Sequence, residues 1–519
     1  MSTKRKISTI AALTTGTAAL VMLTGLAGAR ADELQVNQQL LDQRVDQMAA
    51  GLFVGPSVPG STDPNPATGA PVTGGSFPRS ILIPGTDTSI KIYGEIREIT
   101  TYFMSGSAST NGKQASGPGV TGDLESTPLN NVVTAAGVVT GGNPARSRSN
   151  GVFESSPRES KIGFETRTPT PYGEARTVME FDWAGGSGFS PGGSVLQISD
   201  SLTPRLRYAY GTLGGLLAGQ ATSNFADPDA NGETLDFGGP AGLPGVVRLP
   251  QVRYTMPAWW GASFSVSMET PETNTASPAG IFASDQGAGT VTGPVTCTVL
   301  PCTVGGNVAF ATNPLKSTAP DLTAAYYIPQ AWGHIDFSTV LLPGLDVADG
   351  KFVSRDFVGY GGHIGADYKP GWFGWVKDDF VAQFEVGNGI GHYANASTSV
   401  SLQTNYPVAT GAPATAAAAA LVLIRPVTEM GAQVGYQHFW ADNLRSSIIG
   451  GFEGMDVSEK ILGATSSINK ELITGHANLI WSPVSFVDIG VEYVWGQRTA
   501  VTNQHATLNA LINKIGVKF

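Results

Sequence analysis

Apolar and polar side chains alternate with a period of two along most of the chain, from about residue 89 onward. Between residues 173 and 183, for example, Met179 and Phe181 alternate with Glu180 and Asp182. This alternation predicts β-strands that have one wet face and one apolar face. A soluble β-sandwich produces the same pattern, so the period alone leaves both a sandwich and a barrel open.

The connections between the predicted strands distinguish these two folds. Sixteen segments have the strand pattern, and they begin near residues 89, 160, 173, 204, 214, 250, 261, 320, 332, 357, 378, 426, 443, 470, 485 and 507. Short connections such as TPTPYG and WADN alternate with long ones such as 221–249 and 271–320. An even number of strands with short turns on one side and long loops on the other is typical of outer-membrane barrels. The sequence therefore predicts an all-β fold, a transmembrane antiparallel β-barrel of 16 strands over residues 89–519.

The tryptophans support the barrel independently. Seven of the nine lie in or beside short turns, namely Trp259, Trp260, Trp332, Trp372, Trp375, Trp440 and Trp481. An aromatic belt at one membrane interface predicts this clustering, whereas a sandwich buries its tryptophans in mid-strand. The last predicted strand, TLNALINKIGVKF, finishes on Phe519, which resembles the assembly signal of bacterial outer-membrane barrels.

The N-terminal region has the pattern of a secretory signal peptide. A basic segment, Lys4–Lys6, precedes an apolar stretch over residues 7–26, and Ala29-Arg30-Ala31 supplies a small-x-small cleavage pattern. We expect residues 1–31 to be removed and Asp32 to begin the mature chain; a retained membrane anchor is the alternative. No later stretch reaches the roughly 18 apolar residues of a membrane helix.

The next residues predict a short helix and a linker. Residues 34–48 lack glycine and proline and follow a seven-residue pattern. The seam positions are Leu34, Gln38, Leu41, Val45 and Met48. We expect a periplasmic coiled-coil helix over residues 32–50, although two heptads also fit a lone amphipathic helix. Residues 51–88 are rich in proline and glycine and are expected to form a flexible linker.

Composition excludes several classes of protein. Charged residues make up 14% of the 519 residues, glycine accounts for 66, and the mean hydropathy is +0.01. Few charges and abundant glycine argue against an ordinary cytoplasmic enzyme, while 41% hydrophobic residues argue against a disordered chain. With 31 basic and 41 acidic residues, a nucleic-acid binder is not expected.

Two stretches carry a more specific resemblance. The first contains PGTDTSIKI, and the second contains LLAGQ, ETLDFGGPAG and PQVRYT. Ser223, Phe225 and Asp227 follow LLAGQ in an S-x-F-x-D pattern. These motifs resemble the DcaP-like family of outer-membrane porins. The resemblance implies a homotrimeric barrel in the lipid of the bacterial outer membrane, with a periplasmic N-terminal coiled coil, that passes small anions such as dicarboxylates.

The basic residues of the first six predicted strands share one phase of the alternation. They are Lys91, Arg97, Lys161, Arg167, Arg176, Arg205, Arg207 and Arg253. Because Arg or Lys on the lipid face destabilises a barrel by about 2–4 kcal/mol at the midplane, this row is expected to line the lumen. The row is either a cationic ladder that attracts carboxylates or a solvated wall without selectivity. The acids Glu95, Glu174, Glu180 and Asp182 share this phase, which leaves cation passage open.

The opposite phase is apolar apart from one position. The pattern places Leu206, Tyr208 and Tyr210 on it, opposite the two arginines of that strand. Glu98 is the one charge on this phase, and the neighbouring isoleucines predict a bulge or a change of phase there.

The long connection 221–249 is the candidate constriction of the lumen. Its acids are Asp227, Asp229, Glu233 and Asp236, and Arg248 follows at its exit. By analogy with porins, acids on an inward-folded loop that face arginines on the wall would set a transverse field. The candidates that line the pore are Arg97, Lys161, Arg176, Arg205, Arg207, Arg248 and Arg253. A loop that stays outside the barrel is the alternative.

No catalytic motif supports an enzyme. The sequence has no G-x-S-x-G, P-loop or H-E-x-x-H motif and no ligand spacing among its six histidines, so we expect no catalytic residue, metal or cofactor. Outside the cytosol, Cys297 and Cys302 are expected to form a local disulfide rather than free thiols. The sequence thus favours a passive porin with a preference for small anions. A barrel enzyme and a structural or adhesin barrel with an occluded lumen are the alternatives.

Overall fold

The computed structural model describes the barrel region of the chain. The described residues are 74–106, 150–185, 204–242, 247–277, 315–348, 352–394, 399–405, 416–464 and 466–519, with short stretches between 120 and 140 and between 280 and 309. The predicted signal peptide (1–31), the predicted coiled coil (32–50), and Cys297 and Cys302 lie outside the described residues. Of the predicted linker, residues 74–88 are described, and Ile81–Leu82 forms a short strand against Ser89 and Ile90.

Sixteen antiparallel strands form a closed barrel, as the sequence predicted. They are β1 (Ser89–Ser105), β2 (Lys161–Thr170), β3 (Gly173–Asp182), β4 (Arg205–Leu213), β5 (Leu216–Thr222), β6 (Arg248–Pro257), β7 (Ser263–Glu269), β8 (Asp321–Gln330), β9 (Gly333–Ala348), β10 (Ser354–Tyr368), β11 (Asp379–Asn388), β12 (Thr428–Ala441), β13 (Leu444–Met455), β14 (Asn469–Val484), β15 (Val487–Ala500) and β16 (His505–Lys518). Each strand pairs with its neighbours in chain order. Every predicted start lies within three residues of the start of its strand.

The barrel closes where β16 pairs with β1. The register runs from Glu95 opposite Lys518 to Ser105 opposite Asn509. Beyond β16, the backbone N–H of Phe519 donates to the carbonyl of Gly94 at 3.1 Å, and the Gly94 N–H donates back at 3.2 Å. The residues next to this seam therefore have backbone partners on both sides, which a strand in lipid requires.

Short elements outside the barrel complete the described structure. Two further strands, Val152–Ser156 and Leu315–Ser317, extend the barrel sheet, and Thr275–Ser277, Gly280–Phe282, Leu402–Thr404 and Ile424–Pro426 form a small separate sheet. Two strand pairs join Asn131–Thr134 to Gly137–Thr140 and Thr290–Val291 to Val308–Ala309. The helices are Ala416–Ala419 and Glu459–Leu462, and the 3-10 turns are Pro228–Ala230, Trp259–Gly261, Trp372–Gly374 and Gly391–Tyr393. Among the described residues, no helix has the length and apolar character needed to cross a membrane.

The two faces of the wall differ as the alternation predicted. On β3, Arg176, Glu180 and Asp182 are buried inside the barrel, whereas Met179 is 46% exposed on the outside. Large apolar side chains cover the outer face of strands β9 to β13, namely Phe337, Leu341, Ile364, Phe384, Val434 and Ile448. The charged row therefore faces the lumen and this outer row faces lipid.

The faces predicted for Tyr208 and Tyr210 were wrong. A bulge in β4 places Tyr208 opposite Glu180 and Leu206 opposite Phe181, so one residue is inserted between them. Because a slip of one residue moves the following side chains to the other face of a sheet, both tyrosines point inward and are buried. Leu206, which precedes the bulge, stays on the outer face at 40% exposure.

The bulge expected at Glu98 was also wrong. The pairing of β1 with β16 keeps its register from Glu95 to Phe103. Glu98 therefore lies exposed on the outer face, in the row of Ile96, and accepts a hydrogen bond from Ser155. The charge is accommodated by a polar neighbour on the outer face rather than by a change of phase.

Candidate functional site

The connection that follows β5 lies inside the barrel. We call its residues 223–242 the inward loop. The carboxylate of Asp227 lies 2.7 Å from Nε2 of His334, on the inner face of β9. The same side chain fills the space over Gly365 of β10, where a Cβ would overlap with the carboxylate. Glycine at that position therefore lets the loop approach the wall.

Two further contacts hold the inward loop against strands β13 and β15. Glu233 forms a two-point ion pair with Arg445 of β13, with Oε1–Nη2 and Oε2–Nε distances of 2.6 and 2.7 Å. The backbone N–H of Leu235 donates to the carboxylate of Glu492 of β15 at 2.6 Å. The loop thus follows the inner wall from β9 to β15.

Asp227 and Asp236 also accept hydrogen bonds from backbone N–H groups. The N–H of Asp229 donates to the Asp227 carboxylate at 3.3 Å. Asp236 is 4% exposed, and its Oδ1 accepts a hydrogen bond of 2.7 Å from the N–H of Val120. Asp236 therefore links the inward loop to the first long connection of the barrel.

Phe237 is the inward-loop residue that faces the two arginines of β4. Its ring centre lies 5.3 Å from Cζ of Arg205 and 5.7 Å from Cζ of Arg207. Contacts of this kind are worth about 0.5–2 kcal/mol. The sequence hypothesis placed loop acids opposite these arginines, whereas the structure places an aromatic ring there.

The two arginines of β4 are paired with acids of β3. Arg207 donates from Nε to Glu180 at 2.6 Å and from Nη1 to Asp182 at 2.8 Å. Arg205 donates from Nε and Nη2 to the two oxygens of Asp182, at 3.0 and 2.5 Å. The antiparallel register explains the second pair, since Asp182 lies directly opposite Arg205.

A second group of charges lies on β2 and β3. Glu165 accepts hydrogen bonds from Arg176 at 2.8 Å and from Arg167 at 2.7 Å. Arg167 also lies 3.5 Å from Glu174. Arg176 is 2% exposed, so it holds the wall together behind the lumen surface rather than facing it.

A third group lies beside the seam of the barrel. Glu95 of β1 pairs with Arg97 at 2.6 Å and with Lys514 of β16 at 3.4 Å. Lys161 is buried on the same face, directly opposite Glu95 on one side and Asp182 on the other. The basic residues are therefore interleaved with acids along the whole wall from β16 to β4.

The cation is the more exposed partner in most of these wall pairs. The side-chain exposures are 31% for Arg205 against 0% for Asp182, 16% for Arg97 against 3% for Glu95, 15% for Arg167 against 4% for Glu165, and 18% for Lys518 against 5% for Asp488. The carboxylates thus lie behind the cations as seen from the lumen. The Arg445–Glu233 pair has the opposite order, 3% against 23%, so the inward loop presents an acid.

Two guanidinium groups keep unused donors. Within the part of the chain that the structure describes, Nη1 of Arg205 and Nη2 of Arg207 donate to no protein atom. Nearby, Arg248 lies over the ring of Tyr208 at 5.0 Å. Arg253 lies on the inner face of β6, where it is paired with Leu217 of β5 on one side and with Ser267 of β7 on the other.

Sequence reasoning missed several lumen residues. Arg445, Glu492 and His334 anchor the inward loop, but the predicted row of lumen charges covers only the first six strands. The same alternation continues in β13, where Arg445 and Glu453 lie on the inner face. Phe237 belongs to the ETLDFGGPAG motif, but one aromatic residue in a long loop has no periodicity that predicts which side chains it faces. No group of three or more metal-binding side chains that could hold an ion is present in the described residues.

Comparison with known families identifies the chain. The family described as Porin subfamily matches residues 81–340, about half of the sequence. The chain belongs to this porin family. The family described as DcaP outer membrane protein matches residues 427–518 of the porin, which confirms the resemblance predicted from its motifs. No curated protein sequence matches it.

The porin also matches solved structures of outer-membrane proteins. The porin matches the outer membrane channel DcaP of Acinetobacter baumannii at 20% identity, over 83% of this chain and 97% of that one, with a TM-score of 0.57. An anion-selective porin from Comamonas acidovorans matches at 8% identity, over 83% and 100% of the chains, with a TM-score of 0.45. The trimer form of OmpT from Vibrio cholerae matches at 9% identity, over 83% and 99%, with a TM-score of 0.43. Of these three, the match to DcaP is strong enough to show a shared barrel fold.

Proposed function

We propose that this porin is a passive outer-membrane channel for small hydrophilic solutes that prefers anions such as dicarboxylates. The observation that supports the preference is the order of charges in the wall. Arg205, Arg97 and Lys518 reach the lumen, while Asp182, Glu95 and Asp488 lie behind them. A solute in the lumen therefore meets the cations first.

The net charge of the chain does not oppose this preference. The chain carries a net charge of −10, which by itself suggests attraction of cations. At physiological salt the Debye length is about 8 Å, so acids on remote loops are screened from the lumen. The charges that line the narrow part of the channel decide which ions pass.

Arg205 and Arg207 are the proposed contacts for a carboxylate. Each has an unused Nη group, and hydrogen bonds to charged groups contribute about 1.5–3 kcal/mol before desolvation is subtracted. Glu233 on the inward loop is half-buried and is more exposed than its partner Arg445, so it adds a negative charge on the other side and a field crosses the lumen. Weak contacts of this strength let a solute leave again, as a channel requires.

We also propose that the porin is a homotrimer that contacts its partners through the outer face of β1 to β5. This face carries groups that lipid disfavours: Glu98 bonded to Ser155, Thr166 bonded to Thr177, and Gln220. A charge or an amide on the lipid face destabilises a barrel. Contact with a second copy removes these groups from lipid.

The N-terminal region completes the proposal. Removal of residues 1–31 would deliver the chain for export, and a coiled coil at 32–50 on the periplasmic side would join three copies. Residues 51–73 would then tether this coil to the barrel. As a channel of the porin family, the protein is not proposed to have an enzymatic activity.

Conductance in a planar bilayer tests the channel and its preference. The reversal potential in a salt gradient gives the ratio of anion to cation permeability, and block by succinate compared with acetate tests dicarboxylate binding. Arg205→Gln should lower the permeability ratio and weaken succinate block, whereas Arg205→Lys keeps the charge and should retain the ratio. For Arg207, the variant R207Q/E180Q avoids leaving Glu180 buried without its partner.

Two results would contradict the proposal. If R205Q and R207Q/E180Q keep the reversal potential and succinate block of the unmodified porin, the wall is a solvated surface without selectivity. If the folded trimer conducts no ions, the barrel is occluded and has a structural role.

A further inference from the structure

We propose that the turn between β10 and β11 is a membrane anchor whose apolar tip inserts among the lipids of the periplasmic leaflet. The turn comprises residues 369–378, with the sequence KPGWFGWVKD. The neighbouring turn between β12 and β13 needs two residues, 442 and 443. The extra length therefore serves something other than joining two strands. This inference does not depend on the ion preference of the channel.

The tip of the turn exposes large apolar side chains. Phe373 is 88% exposed, Val376 is 72% exposed, and Trp372 is 53% exposed. A contiguous exposed apolar patch marks a surface that contacts a partner or a membrane. The patch therefore needs an occupant from outside the described chain.

Phe373 also has an unfavourable backbone conformation. Its φ and ψ are 55° and 17°, in the left-handed region. This region is unfavourable for a residue with a side chain, whereas the nearby Gly371 and Gly374 adopt it freely. A strained backbone that keeps the ring of Phe373 exposed to solvent is a reason to look for a function at that ring.

Contacts at the base of the turn show on which side of the barrel wall it lies. The ring of Trp372 meets the ring of Phe380 edge-on at 5.7 Å, and the ring of Trp375 meets that of His438 at 4.7 Å. Phe380 and His438 share the outer phase of β11 and β12 with the exposed side chains of Phe384 and Val434. The turn therefore folds over the outer surface of the barrel and not across its opening.

The polar groups of the turn are paired at its base. Asp378 accepts hydrogen bonds from the hydroxyl of Tyr436 at 2.6 Å, from Nδ1 of His438 at 2.7 Å and from the N–H of Phe439 at 3.0 Å. Lys377 pairs with Asp442 at 2.7 Å. The pairing leaves the tip apolar, and insertion of the tip would bring Lys369 and Lys377 to the depth of the lipid phosphates.

Lipid is the occupant that the surrounding surface supports. The outer face of the adjacent strands carries Ile364, Phe384, Val434 and Ile448, which form part of the lipid-facing row. The apolar tip continues this row toward the periplasm. The trimer contact is proposed on the outer face of β1 to β5, which is another part of the wall, so in that arrangement a second copy of the chain does not reach the turn.

A fluorescent probe at the tip tests the insertion. The porin carrying F373C in a C297S/C302S background is labelled with an environment-sensitive nitrobenzoxadiazole dye and reconstituted in phosphatidylcholine–phosphatidylglycerol vesicles. D87C is the matched control, because Asp87 is exposed in the segment that precedes β1. Heat-dependent gel mobility verifies that each labelled barrel is folded. V376C replaces F373C if that variant does not fold.

Insertion predicts opposite quenching at the two sites. An inserted side chain lies at the boundary of headgroups and acyl chains. Lipid with a spin label near the headgroup end of its acyl chain should therefore quench the probe at residue 373 at least about twofold more than the probe at residue 87. Aqueous iodide should quench the probe at residue 373 less than the probe at residue 87. Iodide quenching at residue 373 equal to that at residue 87, with no quenching by the labelled lipid, would overturn the proposal.

Discussion

Glu233 of the inward loop and Arg445 of β13 are joined by two hydrogen bonds, of 2.6 and 2.7 Å, inside the barrel. The two residues are 212 positions apart in the sequence, and Arg445 is 3% exposed. Removing one partner of a buried ion pair costs about 3–5 kcal/mol, because the other charge is left without compensation. This pair therefore fixes the position of the inward loop.

Breaking this pair should loosen the inward loop. We expect Glu233→Gln to increase single-channel conductance and open-channel noise, since the loop narrows the lumen less when it is detached. Single-channel recordings measure both quantities. The double variant E233Q/R445Q removes both charges and should be less destabilised than E233Q alone; equal noise in E233Q and the unmodified channel would contradict this role for the pair.

A methyl group at Gly365 should disturb the other end of the inward loop. A Cβ at this position overlaps with the Asp227 carboxylate, so Gly365→Ala should weaken the bond to His334 and lower the thermal stability of the barrel. Gly362 of the same strand is the control, because a Cβ there meets no atom within 4 Å. Differential scanning calorimetry in detergent compares the two variants, and equal melting temperatures would argue against close packing at Gly365.

The trimer should depend on the outer face of β1 to β5, where Glu98 lies. Glu98→Lys introduces a longer side chain of opposite charge on this face, so we expect more monomer in gels of unheated samples, with the monomeric barrel still folded. Glu98→Gln keeps the size and the hydrogen-bonding capacity, and its effect should be small. A trimer that is unaffected by E98K places the contact elsewhere on the barrel.

The turn between β10 and β11 should lose stability at low pH. Burial by itself raises the pKa of Asp378, but hydrogen bonds from Tyr436 and His438 outweigh it and hold the pKa below its ordinary value. A carboxylate with a lowered pKa stabilises the fold above its unfolded-state pKa of about 3.9, and the contribution disappears as the pH falls through the lower folded-state value.

The variant Asp378→Asn checks this pH dependence. It should reduce the free energy of unfolding by about 1–3 kcal/mol at neutral pH, since a hydrogen-bonded charge is lost. The difference between the variant and the unmodified protein should shrink below about pH 4. Thermal unfolding followed by tryptophan fluorescence from pH 6 to pH 3 measures it, and a difference that stays constant over this range would exclude the carboxylate as its source.

The disulfide between Cys297 and Cys302 stays a prediction. Alkylation without reduction, followed by mass spectrometry, should leave both residues unmodified and linked. Alkylation of both would show two free thiols in the long connection 271–320.

The strands could be predicted because their signal is local. In β3, consecutive residues such as Met179 and Glu180 point to opposite faces, so the alternation can be read from neighbouring positions alone. The same reading failed in β4, because the bulge before Tyr208 depends on hydrogen bonds with β3. An insertion of one residue leaves no mark in the composition of the strand, yet it reverses every later side chain.

The candidate site could be predicted only in part, for a related reason. The lumen phase of Arg205 and Arg207 follows from the alternation, and so does their proximity to Asp182. The partner of Glu233 does not, because Arg445 meets it only when the barrel is closed and the loop has folded inward. Which loop residue faces the arginines likewise depends on the path of the chain, and Phe237 occupies that place.

The seam between β1 and β16 makes barrel closure a late event in biogenesis. Every other pairing in the barrel joins strands that are neighbours in the sequence, but the second edge of β1 must wait for the strand at the far end of the barrel sequence. Until then both outer edges present unpaired backbone groups, which invite aggregation in water and are not tolerated in lipid. A chain that stops before β16 cannot close its seam, so closure acts as a test that the whole barrel has been exported.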